Sequence, residues 1–311
     1  EGLGKTRHLG SWKISSDEDK DKKVRKEDGF KQLMGQAIDE SFLVAHGESH
    51  YRWVHDKVQE AAMSLDTEEK MQEFQLDIGE ILLRELSKTE LRAAIFVVAN
   101  LLNAKEASDP AKRTKIAELN LDAAEKAKEL SAFESAAKYV GKGIDLLPAD
   151  RWTSMKELSL KMYSICAEAH YSLGNVAEMQ KYCDEVLDQD KIPILDKMRV
   201  YHCMLITMGN GGRAPEALKL SLDILSQLKC KLPRNSASQM VTAFYWLSKT
   251  KLPSKDEIAE LPLMTDPTHK ACMQLMINVS TYAHYCNDFV TMILIVTCTV
   301  RWTMKYGIDL N

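Results

Sequence analysis

The sequence predicts an all-α protein that carries one β-hairpin near its N-terminus. Three observations predict it. From Thr67 onward apolar residues recur at helical spacing, segment after segment. The eight prolines fall mainly at the starts and ends of those segments, where proline is tolerated. A single stretch, Ser41 to Asp56, breaks the helical period, with β-branched and aromatic residues on either side of His46-Gly47-Glu48.

Taken in order, the chain opens with EGLGKT, and Gly4-Lys5-Thr6 ends the way a phosphate-binding loop ends. The loop itself needs G-x-x-x-x-G-K-[ST] after a strand and before a helix, so that successive backbone N–H groups curl around the phosphates. Here the first glycine would lie before residue 1, and Gly10 follows where a helix should begin. A surface turn is expected instead. Residues 15–28 are nearly all charged with balanced signs, which reads as a disordered insertion. Phe30, Leu33, Met34, Ala37 and Ile38 then make a helical stripe. Strands are expected near 41–46 and 50–55, a two-stranded wing, and KVQEAAMSL returns to helix from about Asp56. Helix, wing and helix are the tail of a winged-helix module, about 1–66.

Thr67, ahead of Glu-Glu-Lys, is a good N-cap, and a helical bridge spans 67–110. Helices are expected near 90–104, 111–130, 133–147, 153–173, 175–188, 193–209, 214–228, 236–250 and 268–306. Three stretches repeat one another: AEKAKELSAFESAAKYVGKGIDLL, AEAHYSLGNVAEMQKYCDEVLDQ and LITMGNGGRAPEALKLSLDILSQL. Each holds a helix end, a small residue at the turn and a second amphipathic helix. The turn residues Ser131, Gly174 and Gly212 lie 43 and 38 residues apart, against about 34 in a strict tetratricopeptide repeat. Such pairs bury their apolar faces by stacking, so 111–311 is expected to form a tetratricopeptide-like α-solenoid with a concave partner surface.

The net charge of −4 offers no basic field, so neither nucleic acid nor an acidic membrane is expected as a partner. FVTMILIVTCTV, the most apolar run, is shorter than the roughly 20 residues that span a bilayer. Seven scattered cysteines without a C-x-x-C pair point to reduced thiols and a cytoplasmic protein. No signal peptide precedes Glu1, and KYGIDLN follows an apolar helix directly. Both ends read as cuts in a longer polypeptide.

The stretch YRWVHDKVQEAAMSL, with DIGEILLREL, FVVANLLNA and AELNLDAAEKAKELSAFESAAKYVGKGIDLLP, resembles the region behind the ATPase core of large signal-transduction ATPases with numerous domains. In those proteins an AAA-type ATPase is fused to kinase, sensor or cyclase modules. The family pattern is aromatic-x-F-x-H-D-x-V-Q-x-A-A, met here by Tyr51, His55, Asp56, Val58, Gln59, Ala61 and Ala62, with Trp53 in place of the phenylalanine. The resemblance covers residues 1–4 and 29–230, and the remainder more loosely. It implies a P-loop lying upstream of this chain, in a parent that binds ATP or ADP with Mg²⁺. The 15–28 insertion departs from the family.

His55-Asp56 is the one constellation with a mechanism behind it. Asp56 is expected to cap the helix that follows, with His55 packed beside it. The resemblance gives His55 a second role, contact with the β-phosphate of ADP held by the absent core. His46 and His50 flank the hairpin turn without a cysteine or carboxylate set that would make a metal site. His170 and His202 are single helical residues; MVTAFYWLSK (240–249) could serve a partner through its methionine and aromatics, but its helical periodicity reads as solenoid core. No catalytic residue and no metal or cofactor site is expected within the chain itself. The expected function is regulatory: the helical repeats recognise a protein partner or an intramolecular domain and communicate with the absent ATPase. The alternatives are a stand-alone helical-repeat scaffold, and a fragment of an enzyme whose chemistry lies outside the chain.

Overall fold

The computed structural model describes residues 32–47, 51–250, 254 and 260–309. The Gly4-Lys5-Thr6 turn, the 15–28 segment and His50 lie outside them. The chain divides into two compact units, Glu1–Ile81 and Leu82–Asn311.

In the first unit helix α1 covers 32–39 and ends at Ser41, whose φ of 60° turns the chain into the hairpin. Strands β1 (Leu43–Ala45) and β2 (Tyr51–Trp53) are antiparallel, with Leu43 opposite Trp53 and Ala45 opposite Tyr51. They are shorter than the alternating pattern suggests, because only three residue pairs share the ladder. Helix α2 (Asp56–Met63) follows, and α3 (Glu68–Glu85) carries the chain across the boundary between the units. The Thr67 hydroxyl accepts from the Lys70 N–H at 3.5 Å, the weak end of a capping bond.

The second unit is helical. A reciprocal capping box between Ser87 and Glu90 starts α4 (Lys88–Leu102), and Asp109 with Pro110 starts α5 (Pro110–Glu129). Helix α6 is Phe133–Leu146. A short α7 (Arg151–Ser154) breaks at Met155 before α8 (Lys156–Ser172), and α9 is Val176–Leu187. A 3₁₀ turn, Ile194–Lys197, leads into α10 (Met198–Asn210), followed by α11 (Ala214–Gln227) and α12 (Ser236–Lys249). The single helix expected over 268–306 is two: α13 (Pro267–Tyr285) and α14 (Phe289–Tyr306). It breaks because Asn287 adopts φ 55° and Asp288 caps the next helix by accepting from the Thr291 N–H at 3.1 Å.

Among the described residues one left-handed turn closes six helices, and at four of them, all but Ser41 and Lys229, a second helix opens at once. Ser131, Gly174, Gly212 and Asn287 all have left-handed backbone, with φ of 57°, 72°, 74° and 55°. In each turn the following N–H reaches back five residues to a helical carbonyl: Ala132 to Ala127, Asn175 to His170, Arg213 to Met208 and Asp288 to Ala283, at 2.8–2.9 Å. This closes the first helix while the same residue opens the second. Four helical hairpins result: α5–α6, α8–α9, α10–α11 and α13–α14.

Packing follows chain order. Helix α4 lies on α5, α6 on α8, α9 on α10, and α11 on α13, while α12 lies on α14. Tyr163, Met179, Cys183, Val186 and Val200 form one buried cluster of α8–α10, and Leu205, Ile224, Leu225, Leu275, Met276 and Ile295 belong to a larger one of α10–α14. Gly209 is required by this packing, since a Cβ there would stand 2.5 Å from the Tyr282 ring of α13. Beyond residue 70 strand pairing among the described residues is confined to one parallel bridge, Leu263 to Ile308. Gly307 beside it has φ 99° and leaves no room for a side chain against Pro262.

Candidate functional site

His55 and Asp56 stand where β2 hands over to α2, and the cap falls one residue earlier than the sequence suggests. His55 is the N-cap, extended at φ −149° and ψ 145°, and its Nδ1 accepts the Lys57 N–H at 3.1 Å. Asp56 is the first helical residue, and its charge complements the helix dipole rather than capping. The physical reason is simple. An imidazole nitrogen can accept as a carboxylate oxygen does, and only the residue with extended backbone points its side chain at the exposed N–H groups. A ring whose Nδ1 accepts carries its proton on Nε2, so Nε2–H is the group left for a second partner. Both residues are exposed, as is His46.

In the second unit charged groups from three first helices meet at Glu168. Glu168 of α8 accepts from Arg199 of α10 through both oxygens, Nε–Oε1 2.6 Å and Nη2–Oε2 2.8 Å, and its Oε2 also pairs with Lys128 of α5. One carboxylate therefore ties three consecutive hairpins. Burial alone would raise its pKa, but the Arg199 guanidinium and the Lys128 ammonium outweigh that and hold it below the ordinary carboxylate range. Nearby, Lys161 of α8 pairs with Glu125 of α5 at 2.9 Å. Sequence reasoning missed this hub. Its partners lie 31 and 40 residues away in sequence, so no local pattern marked it.

Open clefts also mark the second unit. One, about 460 Å³ between α4 and α5, has Leu91 and Ile95 among its lining, with Arg92 paired to Glu129 at 3.0 Å along it. The pKa of Asp122 in that cleft is raised, first by burial and then by the neighbouring Glu125 carboxylate. The other, about 670 Å³, lies beside the turns of α8–α9 and α10–α11. Tyr171, Met179, Met204 and Met208 contribute to its wall. Methionine is polarizable and adapts to varied shapes.

The remaining candidates do not assemble. His170 is stacked on Tyr182 with ring centroids 5.5 Å apart, and burial lowers its pKa, so it is a packed residue. His202 is exposed on α10. Burial pushes the thiols of Cys166, Cys183, Cys203 and Cys272 up to about 12, which leaves them protonated and unreactive near neutral pH. Among the described residues no group of three His, Cys, Asp or Glu side chains could hold a metal, and no helix is long and apolar enough to cross a membrane. The stripe 240–249 is core on one face only: Gln239 and Ala243 are buried under it, whereas Val241, Phe244, Tyr245 and Leu247 are exposed. Helical periodicity marks an apolar face but does not tell which side a neighbour covers.

No family model, curated protein or solved structure matches the chain.

Proposed function

We propose that this chain is a regulatory, protein-interaction segment of a multidomain signal-transduction ATPase. On this reading α5–α14 form a tetratricopeptide-like solenoid, and α1, the hairpin and α2 are the tail of a winged-helix module. The observation that carries the repeat reading is the shared cap: at four left-handed turns the residue that closes one helix opens the next. A helix pair repeated with one junction geometry stacks into an array whose first helices make a continuous surface. That surface holds the Glu168 hub, and the methionine-lined cleft lies beside two of the turns, an arrangement that suits a protein partner or another domain of the same polypeptide.

Coupling to nucleotide rests on His55 and on the resemblance. Its Nε2–H projects from a junction between strand and helix, a position from which a small backbone shift would move it relative to a phosphate. The core that binds ATP or ADP with Mg²⁺ belongs to the parent protein on this reading. The test is the complete reading frame together with nucleotide binding by the full-length protein. A Walker A sequence upstream and tight ADP retention support the proposal. A frame without such a sequence sinks it and leaves a helical-repeat scaffold with no linked enzyme.

A further inference from the structure

Two thiols meet in the buried cluster of α10–α14. Cys230, 5% exposed, lies on the segment that joins α11 to α12, and Cys298, 2% exposed, lies on α14. The Cys298 S–H donates to the Cys230 sulfur. The left-handed turn at Lys229, φ 67°, sets Cys230 in place, with its N–H bonded to the Leu225 carbonyl at 2.9 Å. Lys229 and Lys231 on either side are exposed, so this thiol lies one residue from solvent along the chain. The contact separates the pair chemically from the other cysteines. Burial raises the pKa of Cys166, Cys183, Cys203, Cys272 and Cys286, whereas the bond from Cys298 outweighs burial at Cys230 and lowers its pKa. The same bond, and then burial, raises Cys298. Cysteine reacts as its thiolate. A sulfur that favours the thiolate therefore touches one that keeps its proton, the arrangement of an attacking and a resolving thiol.

We propose that a hydroperoxide oxidises the folded protein to a reversible Cys230–Cys298 disulfide, which fastens the α11–α12 connection to α14. The Cys230 thiolate attacks one peroxide oxygen, the O–O bond breaks, and the departing oxygen takes up a proton, leaving a sulfenic acid. The Cys298 sulfur then attacks Cys230, and the hydroxyl leaves with the Cys298 proton as water. With hydrogen peroxide, two thiols and one peroxide become one disulfide and two waters. The sulfurs lose the two electrons that the peroxide gains. A dithiol reverses the bond by exchange. Helix α12 already lies on α14, with Gln239 bonded to Thr291 at 3.2 Å and Arg301 to Thr250 at 3.4 Å. The disulfide adds a covalent tie on the chain just ahead of α12 and so restricts its departure from α14. Cys272, 0% exposed in the same cluster, is the competing thiol. The inference stands without the repeat reading above.

The test treats the reduced full chain with hydrogen peroxide under native conditions, blocks the remaining thiols by alkylation and maps peptides by mass spectrometry without reductant. The expected product is one intramolecular disulfide joining the Cys230 and Cys298 peptides, removed by dithiothreitol. Amide exchange in α12 should then be at least about ten-fold slower in the oxidised chain than in the reduced one. Cys298→Ala and Cys230→Ala separate the two roles. With a sulfenic-acid trap such as dimedone present, Cys230 should be labelled in Cys298→Ala, and Cys298 should stay unlabelled in Cys230→Ala. Both readouts in the parent chain hold even where a variant fails to fold. Oxidation confined to Cys286, the thiol that is only partly buried, overturns the proposal. So does a bond from Cys230 to Cys272 or to another chain, or a Cys230–Cys298 bond that forms only in urea. A bond that forms natively yet leaves α12 exchange unchanged overturns the fastening. Trapping on Cys298 in place of Cys230 overturns the assignment of attacking and resolving sulfur.

Discussion

The hairpin unit and the helical array use similar apolar side chains and bury them to opposite degrees. Among the described residues from 32 to 81 only Gly79 is buried, and Leu33, Phe42, Val44, Val54 and Leu65 are exposed. In the array, clusters of leucine, isoleucine and methionine are sealed between consecutive hairpins. The first region is specified by local bonds: a three-pair ladder, an αL turn at Ser41 and a histidine cap. A two-stranded hairpin held that way is marginal on its own. The second is specified by burial between elements distant in sequence. Local hydrogen bonds set a shape; burial decides whether the shape persists.

The largest expected effect tests that division directly. Ile224→Ala removes a fully buried side chain and should cost about 2–5 kcal/mol of unfolding free energy. Val44→Ala, on an exposed strand position, should stay within about 0.5 kcal/mol. Urea denaturation followed by circular dichroism measures both. Comparable losses in the two variants would break the comparison.

The same contrast explains what could be read from the sequence. The helices of the array were legible because each has an amphipathic period and a proline, glycine or capping residue at its ends. Ser131, Gly174 and Gly212 were legible as turns, and all three are left-handed in the structure. Asn287-Asp288 was not, because the apolar residues on both sides kept the helical period running through it, although asparagine is the residue that best tolerates αL after glycine. The cap at His55 was missed because histidine is an uncommon N-cap and an aspartate stood beside it. The Glu168 hub joins residues from three hairpins, and pairing at that sequence separation leaves no local trace.

An intermediate effect sharpens the role of the hub. Glu168→Gln removes the carboxylate that ties α5, α8 and α10, and should cost about 1.5–3 kcal/mol at neutral pH, the worth of hydrogen bonds to a charged group. The sign with pH follows from its lowered folded pKa. Its contribution is fully present above the unfolded value near 4.5 and is lost as pH falls through the folded value. Stability measured between neutral pH and about pH 3 should therefore fall less steeply in Glu168→Gln than in the parent. Parallel acid limbs would mean the hub carries no net energy.

A smaller effect tests the shared turn. Gly174→Ala forces a Cβ into left-handed backbone, with nothing within 4 Å to clash, so the cost is conformational, about 1–2 kcal/mol. Ser131→Gly should act in the other direction and raise stability slightly, since serine already bears that strain. If both substitutions move the melting temperature the same way, the turn is not the common joint of the array that its geometry suggests.

The smallest effect on stability, and the one most informative about function, concerns His55. Because it caps α2, His55→Ala alone cannot separate a structural from a nucleotide-sensing role; it should cost about 1 kcal/mol of local helix stability either way. His55→Asn separates them. Asparagine is among the best N-cap residues, and its side-chain oxygen can take the Lys57 N–H that Nδ1 now accepts. Amide exchange in the first turn of α2 should therefore be faster in His55→Ala and close to parent in His55→Asn. Asp56→Ala, which removes only a charge complementing the dipole, should change that exchange less than His55→Ala does. If the imidazole contacts ADP in the full-length protein, both His55 variants lose that contact, since the carboxamide is shorter than the imidazole and is already committed to the cap. A ligand shifts an equilibrium only by its differential contacts, so loss of one charge-assisted hydrogen bond should speed ADP release roughly ten- to a hundred-fold in both variants. Fast release in His55→Ala with parental release in His55→Asn would mean that the capped helix, and not the histidine ring, governs nucleotide retention.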